Sequence, residues 1–75
     1  MSRLPRVTGA QVARALERAG FVVVRVSGSH HHFHKAGVLG IVTVPVHGGE
    51  IIPPGTLSSI LRQAGLSVEE FSALL

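Results

Sequence analysis

From Phe21 to Lys35 the chain has little choice but to turn back on itself as a β-hairpin. Phe21-Val22-Val23-Val24-Arg25-Val26 is a β-branched run with a single charge, and such side chains suit a pleated surface better than a helix. Ser27-Gly28-Ser29 supplies the turn, and His30-His31-His32-Phe33-His34-Lys35 runs back. Successive strand residues point to opposite faces, so His30, His32 and His34 share one side and His31, Phe33 and Lys35 the other. Phe33 is the one large apolar side chain of the second strand, so its side should look at the core. Three histidines then face outward, with His31 inward beside Phe33.

The flanking segments predict what covers this hairpin. After a short lead-in, residues 1–7, Thr8 and Gln11 have the spacing of a capping box, and Val12, Ala15, Leu16 and Ala19 recur at helical intervals up to Gly20. A helix over 9–19 follows. Val38–Val44 reads as a third strand, with a bulge expected at Gly40 and an end at Pro45. Residues 46–55 read as a loop rich in turn formers. A second helix should open at Thr56, bury Leu57, Ile60, Leu61 and Ala64, and stop at Gly65. Ser67 and Glu70 form a second capping box ahead of a short helix that buries Val68, Phe71 and Leu74 or Leu75. The order α-β-β-β-α-α predicts an α+β two-layer sandwich, residues 1–75 forming one domain. Its three-stranded antiparallel sheet is expected to carry all helices on one face.

Size limits what such a domain does alone. A chain of 75 residues buries only roughly 60% of its unfolded surface. It has no cysteine to cross-link it, which fits a reducing cytoplasm. With 45% hydrophobic residues it is globular rather than disordered, and a homodimer or a protein partner is expected to share the burden of stability. Seven Lys and Arg against four acids leave a net charge of +3, which suits a phosphate-bearing partner. No apolar run approaches the ~18 residues of a membrane span, and the N-terminus lacks a signal-peptide core, so a soluble, cytoplasmic protein with no membrane partner is expected.

Four histidines within residues 30–34 admit three readings: a catalytic base, a metal site, or a polar strand face. Imidazole titrates near pH 6.5 and so exchanges protons readily at neutrality. His30, His32 and His34 at alternate positions resemble a zinc or nickel set, but a metal site also wants a carboxylate or further histidine, and the nearest acid in sequence is Glu50. No metal and no cofactor are therefore expected.

Several spaced motifs resemble the HicA family of toxins, the mRNA interferase half of HicA–HicB toxin–antitoxin pairs. They are Gly28-Ser29-His30 followed by Phe33, then Val44-Pro45-Val46-His47, and the segment Gly55-Thr56-Leu57-Ser58-Ser59-Ile60-Leu61-Arg62-Gln63-Ala64-Gly65-Leu66-Ser67 with Glu70-Phe71 after it. Gly20-Phe21 and the helix before it also fit. The resemblance implies a double-stranded-RNA-binding-domain-like fold, metal-independent endoribonuclease activity on mRNA, inhibition of translation, and neutralisation by a HicB-type antitoxin. It implies one essential histidine, which falls on His30, with His31 its neighbour one position later. On that reading His30 takes the proton of the ribose 2′-OH and a 2′,3′-cyclic phosphate results, with His32 or His47 as the acid. Gly28 and Ser29 would contact the phosphate, and Arg25 and Lys35 would add positive charge. Two alternatives use the same fold: a non-catalytic RNA-binding module, and a degenerate toxin kept as an antitoxin partner.

Overall fold

The spacing of Thr8 and Gln11 does what it predicts. In the computed structural model, which describes residues 3–75, the Gln11 backbone N–H donates to Thr8 Oγ1 (3.2 Å) and the Thr8 N–H to Gln11 Oε1 (2.9 Å). Met1 and Ser2, which begin the expected lead-in, lie outside the described residues. The cap starts helix α1, Gly9–Arg18, whose Val12, Ala15 and Leu16 are buried. Gly9 has to be glycine, because a Cβ there would run into the Pro45 carbonyl oxygen. The start of α1 therefore lies directly on the chain leaving the sheet.

Strands β1, Val22–Ser27, and β2, His30–His34, form the expected hairpin, and β3, Val42–Pro45, pairs antiparallel with β2. The sheet order is β1-β2-β3. Cross-strand partners share a face, so Phe33 and His31 lie on the same side as Val42 and Val44. Phe33, Val42 and Val44 are buried under the helices, and His31 is half-buried. His30, His32 and His34 take the other side with Thr43 and Pro45, as the alternation predicts.

Two boundaries and one irregularity differ from expectation. The third strand begins at Val42 rather than Val38, because residues 36–41 make turns around Gly37 and Gly40, both at positive φ, and Val38 N–H donates to the Lys35 carbonyl (3.1 Å). Gly40 is thus a turn residue and not a bulge. The register shift lies in β1, between Val23 and Arg25. Helix α2 runs Pro54–Ala64, two residues earlier than its apolar stripe suggests, since proline at the first helical position loses no hydrogen bond the helix needs. The expected loop also contributes structure of its own: Ile52 is buried, its N–H donates to the Val7 carbonyl (2.8 Å), and Ile51 bridges to Thr8.

Gly65, at φ 71, ends α2 in the left-handed conformation, and Ser67 caps α3, Val68–Ala73. Phe71 of α3 is fully buried, whereas Val68 and Leu74 are only half-buried at the margin of the core and Leu75 is exposed. The core joins α1, the inner side of β2 and β3, α2 and Phe71 into one cluster. The fold is α+β with its helices on one side of a three-stranded antiparallel sheet. Among the described residues no helix is long and apolar enough to cross a membrane.

Candidate active site

The β1–β2 turn places the first group of candidate residues. Gly28 occupies the first of two loop positions at φ 60, and Ser29 in the second does not have positive φ, which is the pattern of a type II′ hairpin turn. A Cβ added at Gly28 would meet nothing within 4 Å, so the turn is open to an approaching group. Ser29 follows, and its carbonyl accepts a hydrogen bond from the Val46 N–H (2.7 Å). That bond ties the exit of β3 to the hairpin turn.

Its consequence is the position of His47. The His47 ring, eighteen residues from Ser29, brings Nε2 within 3.4 Å of Ser29 Oγ. His30 pairs with Ser27 on one side and Pro45 on the other, and its side chain is exposed on the open face. Gly28, Ser29, His30 and His47 thus gather at one end of the sheet.

The other candidates spread away from that end. His32 and Arg25 are cross-strand partners in mid-sheet on the open face. His32 is half-buried, and its Nδ1 hydrogen-bonds Thr43 Oγ1 (2.9 Å). Thr43 was not singled out from sequence, because only the β2–β3 register puts it opposite His32. His31 lies half-buried on the helix side, between Val26 and Val44. Lys35 follows β2 at the far end. Its ammonium donates to the Ala19 carbonyl at the C-terminus of α1 (2.7 Å) and stands 5.7 Å from the Phe21 ring centre. A cation there satisfies an orphan carbonyl and complements the helix dipole.

The charge pattern of the sheet is one-sided. The three strands hold Arg25 and no acid; the four glutamates sit in α1, the 46–53 loop and α3. An open face with histidines, a hydroxyl and an arginine suits a phosphodiester. Among the described residues no three histidine or carboxylate groups converge as a metal would require. Remote from this face, hydrogen bonds from the Ser67 backbone, then its side chain, hold the Glu70 carboxyl below its ordinary value.

The sequence profile described as "HicA toxin of bacterial toxin-antitoxin" matches residues 9–66, from the first residue of α1 to just past α2. That span includes the hairpin turn, every histidine and β3. No curated protein matches the chain.

Proposed function

The chain belongs to the HicA toxin family of bacterial toxin–antitoxin systems, and from that premise we propose that it is an endoribonuclease that cuts mRNA without a metal, using His30. Toxins of this family pair with antitoxins, and we take the partner here to be of the HicB type. The observation that carries the reading is the display of His30 on the open face beside an unobstructed glycine turn, inside the region the family profile matches. His31, the adjacent alternative, is turned toward the helices.

In the proposed step the His30 imidazole takes the proton of a ribose 2′-OH, and the 2′-oxygen attacks the neighbouring phosphorus. The bond from phosphorus to the 5′-oxygen breaks, and that oxygen takes a proton from a second histidine. The products are a 2′,3′-cyclic phosphate and a 5′-hydroxyl end. His47, already beside Ser29, is the better placed donor, with His32 the other candidate. The Gly28 and Ser29 backbone and the Ser29 hydroxyl contact the phosphate and Arg25 adds charge from mid-sheet, while the Lys35 ammonium is occupied by the Ala19 carbonyl.

Purified protein incubated with RNA in the presence of a chelator tests this directly. The wild type should leave cyclic-phosphate ends, and His30→Ala should lower cleavage by about 10²–10⁴-fold while keeping its fold. Full cleavage by His30→Ala would end the assignment, and loss of wild-type activity with the chelator would end the metal-free step.

A further inference from the structure

Strand β1 carries an apolar surface that the rest of the described residues leave about half exposed. It is an edge strand, and Val22, Val23, Val24 and Val26 are 58%, 45%, 53% and 56% exposed. Val23 and Val26 pair with Phe33 and His31, so they belong to the side of the sheet that faces the helices. Phe33 is 1% exposed in the next strand. The helical layer therefore covers β2 and β3 and stops short of β1, leaving a ledge of valines. Loose packing does not account for it. The radius of gyration is 11.2 Å, close to the roughly 11.4 Å of a compact domain this long. Exposed sheet edges are usually blunted by several charges or a proline, and β1 has one arginine and no proline.

We propose that the free edge of β1 receives a strand of the antitoxin, which lays apolar side chains over Val23 and Val26 and sets a carboxylate near Arg25. The inference rests on the antitoxin pairing of the preceding section and is independent of the nuclease step. A second copy of this chain is the poorer occupant. Edge-to-edge pairing would engage six residues a side, against about 20–30 in a stable interface. Two-fold pairing about the strand centre would also bring each Arg25 opposite or diagonal to its own copy, a like-charge contact. A larger acidic partner avoids both problems. It can add a strand through backbone hydrogen bonds and cover the ledge with the rest of its surface.

The test co-expresses the chain with a HicB-type antitoxin and purifies the pair. The double variant Val23→Lys, Val26→Lys should bind it at least about tenfold more weakly. Its circular dichroism and its RNA cleavage when free should match wild type, because both side chains lie on the side opposite His30. In the unmodified complex the β1 amides should exchange more slowly than in the free toxin, a readout that holds even if the variant fails to fold. Affinity unchanged within about twofold, or β1 amides equally fast in the complex, would overturn the proposal. So would a free chain that sediments as a dimer with β1 already protected, which would assign the edge to a second copy. A wild-type toxin that binds through β1 yet cleaves no RNA would remove the nuclease reading and leave this one standing.

Discussion

His30 and His31 are chain neighbours, yet the two-residue period of a strand sends one ring to the open face and the other toward the helices. That parity separates an exposed ring, the one the proposed cleavage uses, from one half-buried between Val26 and Val44. The two candidate donors are separated by their partners instead. His32 is half-buried with Nδ1 engaged by Thr43, while exposed His47 stands beside Ser29 at the end of the sheet that holds His30. His47→Ala should therefore slow cleavage of a short fluorogenic RNA by about 10²-fold or more, and His32→Ala should leave the rate close to wild type. The opposite ranking would move the proton donor to mid-sheet.

Helix α3 shows how much a short element depends on its cap. Six residues make a poor helix alone, and this one is held by its capping box and by Phe71 in the core. The Glu70 N–H donates to Ser67 Oγ (3.0 Å) and the Ser67 N–H to Glu70 Oε1 (2.8 Å). Because the Ser67 N–H, and after it the Ser67 hydroxyl, favour the ionised carboxylate, the Glu70 pKa is lowered from 4.5. A lowered folded-state pKa means stability that is present above the unfolded value and lost as pH falls through the folded one. Thermal melts should show wild type losing its advantage over Glu70→Gln as pH drops below 4.5. Ser67→Ala should cost about 1 kcal/mol at neutral pH.

The described residues form one core cluster and the chain has no cysteine to cross-link it, so its stability is concentrated in a few large side chains. Phe71 is fully buried, and Phe71→Ala should cost about 3–5 kcal/mol. That loss is comparable to the total stability of many domains, which starts near 5 kcal/mol. Calorimetry should find the variant unfolded or melting far below wild type, with Leu75→Ala, an exposed neighbour, melting like the parent. An antitoxin that binds only the folded toxin would restore part of the loss by mass action.

Much of the fold is written in residues a few positions apart. Both capping boxes, the hairpin turn at Gly28, the stop at Gly65 and the inward Phe33 follow from local spacing, because helix caps span three residues and strand faces alternate every two. Local spacing gives only a histidine cluster around residue 30; singling out His30 rests on the resemblance to the HicA family. The start of β3 and of α2 was not legible, since residues 38–41 are apolar enough for a strand but are consumed by turns, and prolines 53 and 54 read as breakers until the helix forms behind them. No local pattern shows that the register shift falls in β1, that Lys35 is spent on the Ala19 carbonyl, or that His47 returns to Ser29. Nor does any pattern show that the helices leave the valines of β1 about half exposed. Those outcomes depend on which distant surfaces bury one another, and that competition is settled only when the layers pack.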